Sequence, residues 1–276
     1  MACTNCGHNL TENFCPYCGE KRFDKKQLSI KHFIEETFEG FVHFDNKFIS
    51  TLKLLFTKPG LLSLDHIEGR QSRHMKPIAF FLVINLLFFM LMTVVNPFSL
   101  HLYNYITFQP FVNFNTQHII HEKLNATHLT LAEYTRVFDT KIHSDSKGYI
   151  FALIPLYGFL CWLLFIRYKR MAVEHLVFAT HFAAFVLCYF FLQIYLIIIP
   201  FYWLTKIPYS NTFDNLSGIL TSSVVGIYFA IASRRFYKAS FLWSVIAGLI
   251  IGVIFFDIIQ AYRMLLFFKI VYFKYF

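Results

Sequence analysis

Residues 176–199 read LVFATHFAAFVLCYFFLQIYLIII. These 24 residues carry no Asp, Glu, Lys or Arg. As a helix they would extend about 36 Å, which exceeds a bilayer hydrocarbon core of about 30 Å. Four further runs, near 78–97, 149–166, 216–232 and 240–260, are similarly long and apolar. Lipid offers the backbone no water to bond, so each run is expected to be a helix. The rest of the composition agrees: 57% of the 276 residues are apolar, 36 of them Phe, and 15% are charged. Ordinary soluble domains are about 45–50% apolar and about 25% charged. A disordered chain, a disulfide scaffold and an ordinary soluble enzyme are thereby excluded. The expected fold is an all-α integral membrane protein with five transmembrane helices over 78–276.

The formal charge is +9, and its placement gives a topology. Segment 58–77 holds Lys58, Arg70, Arg73 and Lys76. Loop 167–173 holds Arg167, Lys169 and Arg170, and loop 233–239 holds Arg234, Arg235 and Lys238. Loop 205–215 holds only Lys206. Basic residues collect in cytoplasmic loops, so the N-terminus is expected inside and the C-terminus outside. Arg263, Lys269 and Lys274 in the tail run against that rule. The opening MACTNCGHNL lacks an apolar signal-peptide core, so the first span is expected to direct its own insertion.

Four of the six cysteines fall in the first 18 residues. Cys3-x2-Cys6 and Cys15-x2-Cys18 are each followed by glycine, Gly7 and Gly19. Two residues between thiolates let both sulfurs of a tight turn face one ion, and the glycine accepts the left-handed backbone that closes the turn. Residues 1–24 are therefore expected to form a zinc ribbon holding one structural Zn2+, with no open coordination position for catalysis. So short a segment buries too little to fold without metal. Two disulfides would be the alternative, disfavoured in a reducing compartment. Lys21, Arg22, Lys25 and Lys26 follow, but Glu12, Glu20 and Asp24 dilute the charge. That favours a protein partner or a structural cap over nucleic acid. Cys161 and Cys188 lie inside apolar runs and read as small hydrophobes.

Between ribbon and bundle, residues 25–77 read as amphipathic. Ile30, Phe33, Ile34, Phe38, Phe41, Phe44, Phe48, Leu52 and Leu55 recur every three or four residues. The helix expected over 29–57 suits either the membrane interface or packing on the bundle, and Pro59-Gly60 stops it. A second short helix is expected near 61–68. Arg70, Arg73 and Lys76 then stand at headgroup level, where they serve either as an orientation signal or as contacts to lipid or phosphate.

Ionisable residues inside spans are functional candidates. Glu174, His175 and His181 open the third span. Glu174 and His181 share a helical face but lie about 10 Å apart along it, so they cannot both bind one ion. The structural alternative pairs Glu174 with Arg167 or Arg170. Asp257 reads as a second buried charge. Small residues recur every four positions in Gly218, Ser222 and Gly226 and in Ser244, Gly248 and Gly252, which predicts close packing of spans four and five. The extracytoplasmic insertion, 99–148, is aromatic early and expected to be helical near 117–141; His118 and His121 form a lone metal-pair candidate.

With these residues in place, the chain resembles a family of uncharacterised bacterial membrane proteins bearing an N-terminal zinc ribbon. The likeness rests on Cys3-x2-Cys6 with Cys15-Pro16-Tyr17-Cys18-Gly19, then Thr51-Leu52, Lys58-Pro59-Gly60, Gly69-Arg70 and Pro77. It continues through Pro155 and Glu174-His175-Leu176-Val177-Phe178-x2-His181-x3-Phe185. The resemblance implies a multi-span membrane protein and supplies no activity; the expected location is the cytoplasmic (inner) membrane. The pattern reads first as a binding, regulatory or scaffold protein presenting a cytosolic ribbon. A transporter or lipid-handling protein using Glu174, His175 and His181 is the second reading. An enzyme is the third, for no HExxH, GxSxG or phosphate loop is present.

Overall fold

The protein is described here by a computed structural model covering residues 2–10, 12–22, 29–30, 33, 47–92, 96–108, 110–206 and 211–273. Most of the amphipathic stretch expected over 29–57 lies outside the described residues. After the cysteine segment come α1 (Lys47–Thr57), α2 (Leu61–Ile67), α3 (Pro77–Leu91), α4 (Leu102–Thr107), α5 (Thr116–Thr127), α6 (Leu131–Tyr149) and α7 (Leu153–Leu164). They are followed by α8 (Ala172–Gln193), α9 (Ile199–Thr205), α10 (Asn211–Tyr237) and α11 (Phe241–Tyr272).

Among the described residues, four stretches are long and apolar enough to cross a membrane: Leu131–Leu164, Ala172–Thr205, Asn215–Tyr237 and Phe241–Tyr272. The first three overlap the expected second, third and fourth spans, the first of them starting well ahead of 149 and ending at 164, and Phe241–Tyr272 runs well past the expected end at 260. The first expected span is shorter than 78–97. Helix α3 has 15 residues, about 22 Å at about 1.5 Å per residue. It ends because Met92 adopts φ −85°, ψ 62° and Asn96 Oδ1 accepts from the Phe98 amide in a tight turn at Pro97. The carbonyl of Leu91, orphaned at the helix end, accepts from Tyr195 Oη at 2.7 Å. At the start of α3, the Phe80 ring lies 6.5 Å from the His181 ring of α8. The two helices thus run side by side in the same direction.

The two small-residue stripes meet as expected. A Cβ placed on Gly226 would lie 2.7 Å from the Gly248 carbonyl oxygen, and one on Gly252 would lie 2.9 Å from that of Ser222. Backbone approach of this kind joins α10 to α11. Asp257 is not buried in the bundle. It is exposed on α11, because the inward stripe runs through Gly248, Gly252, Phe255 and Ile259, and two residues past Phe255 the helix has turned away.

Helices α8 and α9 form one continuous rod through a wide turn at Ile194–Ile198. Pro200 follows two residues later. It lacks the amide a regular helix would use and crowds the preceding turn, and the widened turn relieves both demands.

The insertion at 99–148 is helical, formed by α4, α5 and most of α6. It packs with the end of α11 into a cap. Tyr105, Phe138 and Phe267 are fully buried there, and Lys269 pairs with Asp145 at 2.7 Å. Of the basic tail, Lys269 is held by Asp145 in the cap and Arg263 by the Pro97 carbonyl, so neither acts as a loop charge; Lys274 lies outside the described residues.

Candidate metal centre

The cysteine segment folds as two copies of one turn. The amide of Cys3 donates to His8 O at 2.8 Å, and Gly7 N returns to Cys3 O at 2.9 Å. In the second copy Cys15 N donates to Glu20 O at 2.8 Å and Gly19 N to Cys15 O at 2.9 Å. Isolated antiparallel bridges, Ala2 with Asn9 and Phe14 with Lys21, close each loop. Gly7 and Gly19 take φ of 79° and 70°, as the Cys-Gly pattern requires. All four Sγ atoms lie within 4.8 Å of one another. Cys3 to Cys18 measures 3.6 Å and Cys6 to Cys15 measures 3.5 Å. Thiolates at about 2.3 Å around a tetrahedral ion would stand about 3.8 Å apart, so the four sulfurs fit such an ion. None of the six cysteines is joined in a disulfide.

The thiols perturb one another. Backbone amides around Cys6 pull the Cys3 thiol down to about 7. Cys6 has a backbone bond at His8 that favours its thiolate, yet desolvation and its three sulfur neighbours push it up to about 12. Four sulfurs this close resist ionising together, and a bound dication would remove that resistance.

The segment is seated on the loop between α2 and α3. Glu20 is buried, and its Oε2 accepts from the amides of Gln71 at 3.0 Å and Ser72 at 2.9 Å. Thr4 Oγ1 donates to Gly69 O at 2.7 Å, and Asn5 Nδ2 donates to Ser72 Oγ at 2.9 Å. In sequence Glu20 reads only as a charge that dilutes the basic patch. Its position next to Gly19, where the first copy has His8, was the available signal.

Within the loop, Arg70 spans Asp65 at 2.5 Å and Glu68 at 2.6 Å, and His74 Nε2 stands 3.5 Å from Asp65. Partial burial favours the neutral Asp65 carboxyl, but hydrogen bonds from His74 and Arg70 hold it below its ordinary range. Of the three basic residues expected at headgroup level, Arg70 is held by these two carboxylates. Arg73 is exposed and Lys76 half-buried.

Residues 45–89 match a family described as "Protein of unknown function (DUF3667)". No curated protein and no solved structure matches the chain. The matched segment contains α1, α2, all but the last two residues of α3, and the loop on which the cysteine segment rests.

The three candidates of the third span do not converge. Glu174 accepts from Arg170 NH1 at 3.3 Å and caps its own helix through Met171 N at 2.9 Å. His175 Nδ1 meets Tyr237 Oη at 2.8 Å. His181 Nδ1 meets Ser63 Oγ of α2 at 2.9 Å, and its Nε2 is buried without a hydrogen-bond partner. Glu174 thus closes the start of its own helix, while His175 ties α8 to α10 and His181 ties it to α2. Among the described residues, only Cys3, Cys6, Cys15 and Cys18 form a metal-ready group.

Proposed function

We propose that this is a binding or regulatory protein of the inner membrane whose structural Zn2+ ribbon stands on the cytoplasmic side and is clamped to the membrane domain. The observation that carries the reading is the grip of buried Glu20 on the Gln71 and Ser72 amides. A ribbon that served only as a loose tether would need no buried carboxylate on the bundle's own loop. Whatever binds the ribbon, or removes its metal, acts on a loop continuous with α2, which contacts His181 through Ser63.

Five crossings are proposed, with the short α3 as the first. Its start lies beside α2, whose preceding Pro59 carbonyl accepts from Arg235 at the basic end of α10. Its far end lies beside Tyr195 and the cap. The basic loops at 167–173 and 233–239 then face the cytoplasm and the cap faces outward. The separate partners of Glu174, His175 and His181 weigh against a transport or catalytic centre there.

Metal analysis of the purified protein tests the ribbon: one equivalent of zinc is expected, and none in Cys15→Ser. Hydrogen exchange tests the clamp. Glu20→Gln should keep the zinc and speed exchange at Gln71 and Ser72. Unchanged protection there would defeat the regulatory reading.

A further inference from the structure

At the end of the bundle away from the cysteine segment, a cavity of about 410 Å3 lies between α8, α10, α11 and the turn at Asn96–Leu100. That volume is in the range of small-molecule sites, about 300–1,000 Å3. Its walls are aromatic and aliphatic where Phe190, Ile194, Phe255 and Ile259 face it, and polar at Arg263 and Gln193.

Arg263 is 7% exposed. Nε and NH2 both donate to the Pro97 carbonyl, at 3.1 and 2.7 Å, and NH1 donates to Gln260 Oε1 at 3.2 Å. A guanidinium has five N–H groups, and these bonds use three. The carboxylates of this end are engaged elsewhere: Asp139 with His101 Nδ1 and the Leu102 amide, Asp145 with Lys269. Among the described residues no carboxylate reaches Arg263. A buried cation without a counter-ion is costly. A cap on the Pro97 carbonyl needs a donor only, and Gln or Asn would supply it without the charge. On the opposite wall Gln193 is bonded to Ser217 and Thr221, so its amide is fixed in place.

We propose that this cavity binds a small oxyanion, a carboxylate or a phosphate, on the free N–H groups of Arg263, with a short apolar body lying against Phe190, Ile194 and Phe255. The anionic group comes either from a soluble molecule or from a lipid headgroup. The site is independent of the zinc ribbon and of the clamp.

The test uses the full chain in detergent and in nanodiscs. Thermal shift and calorimetry are run with acetate, butyrate, hexanoate, butyl phosphate and inorganic phosphate. At least one probe should bind saturably to the native chain, and its affinity should fall at least tenfold in Arg263→Gln, which keeps a donor for Pro97. Arg263→Lys should bind more weakly than the native chain and more tightly than Arg263→Gln. Ile198→Trp, which leaves Arg263 intact and fills the cavity, should also abolish binding, and it decides the matter if Arg263→Gln does not fold. Native mass spectrometry of nanodiscs with and without anionic lipid separates the sources: a retained anionic lipid lost in both variants identifies a headgroup. The proposal is overturned if neither a soluble probe nor a lipid binds the folded native chain, or if both variants bind as it does.

Discussion

Ser63 and His181, 118 residues apart in sequence, share a 2.9 Å hydrogen bond inside the protein. Both are buried, and the bond joins the helix just ahead of the clamped loop to the uncharged run at 176–199. Removing the hydroxyl with Ser63→Ala leaves a buried imidazole with neither ring nitrogen paired. Such a loss costs about 1–3 kcal/mol, read as a lower melting temperature in detergent. The double variant Ser63→Ala with His181→Leu should be less destabilised than the sum of the single variants, because no orphaned polar group remains. Additive losses would mean that the pair is not coupled.

Asp65 ties stability to acid. Its folded carboxyl titrates below the ordinary 3.8 because His74 and Arg70 hold the anion against the effect of partial burial. A depressed carboxylate contributes stability that is present above the unfolded value and lost as pH falls through the folded one. Melting temperature should therefore drop as pH falls below about 4. Asp65→Asn should flatten that drop while lowering stability at neutral pH. The comparison belongs in a Cys15→Ser background, where protonation of metal ligands cannot contribute. An unchanged acid slope in Asp65→Asn would contradict the assignment.

Gly60 is constrained twice. Its φ of 79° disfavours any side chain, and a Cβ would stand 2.2 Å from the Ala232 carbonyl oxygen. Gly7 shares the φ of 79° but faces open space. Gly7→Ala should cost about 1–2 kcal/mol, the left-handed penalty alone. Gly60→Ala should cost clearly more, since backbone on α10 must move, and should appear as a broadened size-exclusion profile and a lower yield of folded protein. Equal effects at the two glycines would show that the hairpin of α1 and α2 is not pressed against α10.

Much of this was legible in the chain because lipid imposes strong rules. Uncharged runs of about 20 residues announce the long helices, and Cys-x2-Cys-Gly announces the knuckles together with the φ of their glycines. The stripes through Gly226 and Gly248 also read directly. What the sequence concealed depends on tertiary neighbours. The early end of α3 at Leu91 follows from a tight turn at Asn96–Pro97 and from Tyr195, supplied by the wide turn after α8. The outward position of Asp257 follows from which face of α11 meets α10, and apolar residues surround it on both sides in sequence. Glu20 and Arg263 were hidden for a similar reason. Each is a charge whose meaning comes from backbone groups 51 or more positions away, Gln71 for the one and Pro97 for the other.

The seam between α10 and α11 makes the most direct test of helix packing. Gly248 would bring a Cβ to 2.5 Å from the Gly226 carbonyl oxygen and 2.7 Å from Ala230 Cβ. In lipid, helix association depends on close van der Waals packing, because tails solvate apolar side chains as well as a neighbouring helix does. Gly248→Leu should therefore force the two helices apart, lower the melting temperature and broaden the size-exclusion profile. Exposed Val253→Leu, one turn along on the outward face, should change neither. If Gly248→Leu left both measurements intact, the stripes would be incidental to the fold, and the packing of these two helices would have to rest on their large side chains.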